Sequence, residues 1–146
     1  MRIAVCYIVK NEADNLARSI SSLEEQADEI VVVDTGSSDA TKEIALSRGA
    51  RLFEFPWRDD FAAARNFALD QVRSDWTVFL DADEYFSPGT AGNLRSVIEQ
   101  SDGRGQDLLI VPLRNIDKES GEVLLDSHVP RIFRALPGFR YEGRIH

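Results

Sequence analysis

Cysteine, histidine and methionine are scarce in this chain of 146 residues: Cys6 and Met1 stand alone, and there are two histidines. A single cysteine excludes an intrachain disulfide and any thiolate zinc site. Cys6 lies inside an apolar run, where a buried, inert thiol is the plainer reading. Neither G-x-G-x-x-G nor G-x-x-x-x-G-K-[ST] occurs, so the two common glycine-rich phosphate cradles are excluded. Positive charge is also short. Against 25 Asp and Glu there are 17 Lys and Arg, a net charge of −8, and a broad nucleic-acid surface needs clustered cations. Long hydrophobic runs are missing too. The first apolar run, IAVCYIV, is too short for a membrane span and no small-residue cleavage site follows it. No membrane span and a cytoplasmic location are the expectation.

What is present is ordinary for a globular protein: 43% hydrophobic and 29% charged residues, in a length suited to one domain. IAVCYIV (3–9) predicts a strand buried on both faces. Asn11 can cap the helix after it, whose Leu16, Ile20 and Leu23 recur at helical spacing to about residue 25. EIVVVD (29–34) predicts a second strand, and Ser38 or Asp39 can cap a short helix to about Ser47. ARLFEF (50–55) predicts a third strand, Asp59 or Asp60 opens a helix through FAAARNFALDQV, and WTVFL (76–80) predicts a fourth strand. This alternation argues an α/β fold: a mainly parallel sheet with helices on both faces. In such sheets ligands lie beyond the carboxyl ends of the strands. Asn11, Asp34 and Asp81 all follow strands there.

After Pro88-Gly89 the character changes. A helix is expected from Thr90 to Gln100, and strands over 108–115, 122–126 and 129–134, with KESGE as a hairpin loop. This tail reads as a small antiparallel addition to one domain over 1–146. No internal repeat, linker or low-complexity tract interrupts it.

The stretch WTVFLDADEYF carries the most chemistry. Asp81, Asp83 and Glu84 put three carboxylates within four positions at the end of a buried strand. Packed together they need raised pKa values or a counter-cation. Mg²⁺ or Mn²⁺ suits such oxygen ligands and leaves positions for phosphate oxygens. Asp81 and Asp83 point the same way if the backbone stays extended. The competing reading is an acidic turn with solvated side chains. Asp34 either turns the chain or accepts hydrogen bonds from a base or ribose at a solvent-facing strand end. Arg65, among Ala62, Ala63 and Ala64, either snorkels or lies beside an anionic or aromatic ligand.

Together CYIVKNEADNLARSISSL, DEIVVVDTGSSDAT, FAAARNFAL and WTVFLDADEYF resemble the family 2 glycosyltransferases of GT-A fold, a Rossmann-like architecture. The closing YEGRIH resembles the bacterial branch that often carries helical repeats after the catalytic domain. The resemblance implies a metal-dependent inverting transferase that moves a sugar from a nucleoside-diphosphate sugar, with uridine the expected nucleoside, to a hydroxyl acceptor on a saccharide, lipid or protein. Asp81-Ala82-Asp83 is similar to the D-x-D motif, with Asp83 the direct ligand of Mg²⁺ or Mn²⁺ and Asp81 nearer the ribose or the ion. Asp34 matches the carboxylate that holds the nucleoside, Asn11 and Glu12 line the nucleotide pocket, and Arg65 matches the arginine near the base. His146 resembles a late histidine that reaches the metal or acceptor.

The chain departs from that pattern. It has neither a Glu-Asp pair in its second half nor Q-x-x-R-W, so the base candidates are Asp126 and Glu142. Residues 1–86 read as the nucleotide-sugar half and 87–146 as the acceptor side, which reads as cut short. Two other readings stand beside this one. One is a nucleotide-binding module without turnover. The other is a phosphatase of haloacid dehalogenase type, which would need Asp81 as nucleophile and this strand first rather than fourth.

Overall fold

The computed structural model describes residues 1–23, 25–57, 59–86, 93–116, 120 and 123–135, with backbone alone for 110–116 and 123–129. Three apolar runs become neighbouring parallel strands: β1 (Ile3–Val9), β2 (Glu29–Asp34) and β4 (Trp76–Leu80). β3 (Arg51–Glu54) is shorter than expected and joins the outer side of β2. The helices between them are α1 (Ala13–Ser21), α2 (Thr41–Ser47) and α3 (Phe61–Gln71); α4 (Leu94–Gly103) follows β4. The order across the sheet is β3-β2-β1-β4-β6-β5, where β5 is Leu108–Ile116 and β6 is Val123–Arg134. β6 runs antiparallel to both β4 and β5, so the tail extends the same sheet.

Alternation along the central strands explains the two layers. Ile3, Val5, Tyr7 and Val9 face Leu16 and Ile20 of α1, Ala45 of α2, and Leu94 and Ile98 of α4. Cys6, Val31, Val33 and Phe79 face the other way, onto Ala68 of α3 and Phe133 of β6. Burial pushes the Cys6 thiol up, which keeps it protonated and unreactive. Tyr7, in the core, shares a 2.7 Å hydrogen bond with Ser19 of α1, so its phenol is not stranded.

Several boundaries differ from the sequence reading. α1 stops at Ser21 rather than near residue 25. α4 begins at Leu94, and the expected helix start at Thr90 lies outside the described residues. The two strands expected over 122–126 and 129–134 are a single strand, β6, over Val123–Arg134. Pro130 sits beside a β-bulge: Leu109 pairs with Ile132 and Ile110 with Pro130, so Arg131 is skipped. A bulge tolerates a residue with no N–H to give the ladder. The KESGE loop is outside the described residues except for Ser120.

The amino end of the sheet is held by carboxylates. Glu29 accepts from the Arg73 N–H at 2.6 Å, the Ser74 hydroxyl at 2.8 Å and Arg51 at 2.8 Å. Burial is the largest influence and pushes the carboxyl up, but the three donors together outweigh it and hold it below its ordinary value. Asp28, partnered by the Ile3 N–H and Arg95, is lowered in the same way. A carboxyl lowered in the folded state stabilises above its unfolded pKa, and the contribution is lost as pH falls through the folded value. Glu29→Gln is therefore expected to cost about 1–2 kcal/mol at neutral pH. The loss should shrink as the pH drops through the carboxylate range. Urea unfolding of both proteins at neutral and acidic pH checks this; a pH-independent difference would contradict it.

Candidate functional site

Because β1, β2 and β4 are parallel neighbours, their carboxyl ends share one edge. Val9 stands opposite Asp34, and Tyr7 opposite Leu80. Asn11, Asp34 and Asp81 therefore emerge along the same rim, as the strand order predicts.

Asn11 does not cap α1. Its φ of 53° places it in the left-handed region, which Asn tolerates better than most residues. Its N–H donates to the Ser37 hydroxyl at 2.9 Å, and its Oδ1 accepts from the N–H groups of Ser38 at 2.8 Å and Asp39 at 3.3 Å. The Glu12 N–H donates to Thr41 Oγ1 at 2.9 Å, tying the same two loops together. The Glu12 carboxylate accepts from Asn15 in the first turn of α1 at 3.0 Å. Asp39, not Ser38, serves the start of α2, accepting from the Thr41 N–H at 2.9 Å.

Asp34 is 2% exposed, which corrects the expectation of a solvent-facing side chain. The Thr35 N–H and hydroxyl both donate to the Val9 carbonyl, tying the chain just after Asp34 to the end of β1. Its Oδ1 accepts from the N–H groups of Gly36 at 2.9 Å and Ser37 at 2.8 Å. This tight turn uses the φ of +129° at Gly36, which side chains rarely adopt. Asp34 Oδ2 is buried with no hydrogen-bond partner among the described residues. An unmade bond there costs free energy, which a donor group on a ligand would recover.

The carboxylates after β4 do not lie on an extended backbone. The Glu84 N–H donates to the Asp81 carbonyl at 2.9 Å, and Glu84 Oε1 accepts from the Asp81 N–H at 2.7 Å. The chain turns through 81–84, so strand alternation does not align Asp81 with Asp83. Ala82 is tucked inward and Asp83 stands exposed. Burial, then the neighbouring Asp81 and Asp83, push the Glu84 carboxyl up, against the Asp81 N–H and Arg131.

Arg131 is the site residue that sequence reasoning missed. Its guanidinium lies 3.0 Å from Glu84 Oε2 and 3.6 Å from Asp81 Oδ2. The available signal was Pro130, since proline within a strand marks an edge or a bulge, and bulges redirect side chains. Arg65 is buried, so it does not snorkel; its guanidinium carbon is 5.7 Å from the Phe61 ring centroid. It stands on α3, whose start Asp60 caps by accepting from the Ala63 N–H. Arg65, Arg131, Asp81, Phe61 and Ile8 line one small pocket.

Among the described residues no group of three or more His, Cys, Asp or Glu side chains could hold a metal ion. Asp81, whose side chain is 47% exposed, and the exposed Asp83 supply two carboxylate groups, so a Mg²⁺ or Mn²⁺ ion there would need oxygens from a phosphate ligand to complete its shell. Glu142 and His146 lie outside the described residues. Asp126 pairs with Arg114 in β6. Since Val78 pairs with Ile132 in antiparallel sense, that stretch of β6 runs past the carboxyl end of β4. Among the described residues no helix is long and apolar enough to cross a membrane.

Residues 4–144 match the model of glycosyl transferase family 2. A TPR repeat-containing protein of Synechococcus elongatus is 38% identical over 99% of this chain and 34% of its own length. The chain thus spans about a third of that curated relative. The crystal structure of Staphylococcus aureus TarS 1–349 superposes with a TM-score of 0.65 over 86% of this chain and 38% of that one, at 24% identity, a likeness of fold. Glucosyl-3-phosphoglycerate synthase from Mycobacterium tuberculosis, in complex with Mn²⁺, uridine diphosphate and glucosyl-3-phosphoglycerate, superposes with a TM-score of 0.52 at 27% identity. That match covers 65% of this chain and 40% of the synthase.

Proposed function

The chain belongs to glycosyl transferase family 2, and on that premise we propose that it binds a uridine-diphosphate sugar and passes the sugar to a hydroxyl acceptor. The observation that carries the reading is one sheet edge holding both the buried, unpartnered Asp34 Oδ2 and the Asp81–Glu84 carboxylate turn. The uridine-diphosphate and Mn²⁺ in the mycobacterial synthase support the choice of donor and ion.

Asp34 Oδ2 accepts a hydrogen bond from the nucleoside, while Asn11 and Glu12 bound the pocket and hold the loop that carries Asp34. Arg65, stacked near Phe61, stands beside the base. Asp81 and Asp83 hold Mg²⁺ or Mn²⁺, with His146 as a further ligand. When bound, the ion supplies Lewis-acid stabilisation of the departing diphosphate. The acceptor hydroxyl gives its proton to a carboxylate, Asp126 or Glu142, and attacks opposite the leaving diphosphate, so the anomeric centre inverts. The acceptor is a saccharide, lipid or protein hydroxyl.

Calorimetry with uridine, guanosine and adenosine diphosphates tests the donor. Uridine diphosphate is expected to bind in Mn²⁺ and to lose at least about tenfold in affinity with excess chelator, since the diphosphate and the acidic edge repel each other without a cation. Equal affinity for all three nucleotides, or binding indifferent to chelator, would refute the assignment.

A further inference from the structure

The carboxylate turn already has a cation of its own. Arg131 is the residue skipped in the β5–β6 pairing, and it reaches both Glu84 at 3.0 Å and Asp81 at 3.6 Å. Its side chain is 17% exposed and that of Glu84 is 12% exposed, whereas that of Asp81 is 47% exposed. The Arg131–Glu84 pair is thus the sheltered, fixed element, and Asp81 the open one. Glu84 closes the turn through the Asp81 N–H with its other oxygen. One guanidinium therefore holds the turn in shape and offsets negative charge at the position where a divalent ion would arrive.

We propose that Arg131 is a positioning residue that competes with the divalent ion for Asp81, so that the ion enters together with a nucleoside diphosphate rather than alone. The inference rests on the donor reading above. Without a ligand, Arg131 occupies one side of Asp81 and weakens the attraction of the turn for a free cation. With the diphosphate present, added negative charge restores that attraction, and the guanidinium, on the wall of the same pocket, faces the phosphates. Arginine suits this dual pairing because its planar fork has five donors; a lysine ammonium is a point charge and does not span two carboxylates in the same way.

The test measures Mn²⁺ binding to the 146-residue chain from the free-ion electron paramagnetic resonance signal, with and without uridine diphosphate. Arg131→Gln is expected to raise affinity for Mn²⁺ alone by about tenfold, consistent with removing a charge a few ångströms away in a partly solvated site. The same variant should bind uridine diphosphate several-fold more weakly at saturating Mn²⁺. A role confined to folding would not move the two affinities in opposite directions. Should Arg131→Gln fail to unfold cooperatively, Arg131→Lys carries the test, with a rise of about threefold in affinity for Mn²⁺ alone. Unchanged or weakened affinity for Mn²⁺ alone overturns this proposal by itself. A wild-type chain that binds no uridine diphosphate with Mn²⁺ overturns the donor reading and the proposal together.

Discussion

Asp83→Asn is expected to lower sugar transfer by at least about a hundredfold while leaving the fold intact. The side chain is exposed at the tip of the 81–84 turn, so the substitution removes no packing and keeps the volume. On the proposed reading it removes an anionic ligand for a hard cation. Metal stabilisation of a departing oxyanion supplies several kcal/mol to the transition state, and every 1.4 kcal/mol or so is tenfold in rate. The same variant should lose the response of uridine diphosphate affinity to chelator, a readout that needs no acceptor. Glu84→Gln is expected to cost much less, because glutamine can still accept from the Asp81 N–H. A variant at position 83 that keeps full metal dependence would remove Asp83 from the metal site.

Asp34→Asn is the second large effect. Alanine would be a poor probe, since it would also strip the acceptor that holds the N–H groups of Gly36 and Ser37. Asparagine retains an oxygen for those donors and places an amide at the buried, unpartnered position. A donor then meets a donor. Binding of uridine nucleotides should weaken by about 1–3 kcal/mol, with little change in thermal stability. Titration with uridine and uridine diphosphate measures it; equal affinity in wild type and variant would exclude Asp34 from the nucleoside pocket.

The strands were legible in the sequence because central parallel strands are buried on both faces and so read as unbroken apolar runs. From their order came the shared edge of Asn11, Asp34 and Asp81. What could not be read depends on contacts between distant segments. Asn11 looked like a helix cap, but its left-handed backbone sends its oxygen to amides at positions 38 and 39. Asp34 looked exposed, but it stands opposite Val9 of β1 and the loop after it turns back to donate to its Oδ1. Arg131 was missed for a different reason: Pro130 hinted at a bulge, but which residue the bulge skips is set by the pairing of β6 with β5, and Arg131 is that residue. Periodicity along β6 cannot report where its pairing with β5 slips. The extended D-x-D geometry failed on a side chain, since Glu84 folds back on the Asp81 N–H.

The loop after β2 has a consequence for where a nucleotide's charge can rest. Four consecutive amides, from Gly36 to Asp39, donate inward to Asp34 or Asn11. Successive backbone N–H groups left open would form an anion-binding concavity. Here the chain has filled that concavity with its own side-chain oxygens. The β2 side of the rim is thus left with acceptors to offer and repels phosphate, while the β4 side holds the guanidinium of Arg131. On the proposed reading a nucleotide would lie with its sugar and base toward Asp34 and, once a cation offsets the carboxylates of the 81–84 turn, its charge toward β4 and Arg131. A reversed pose would set the phosphates against the Asp34 carboxylate.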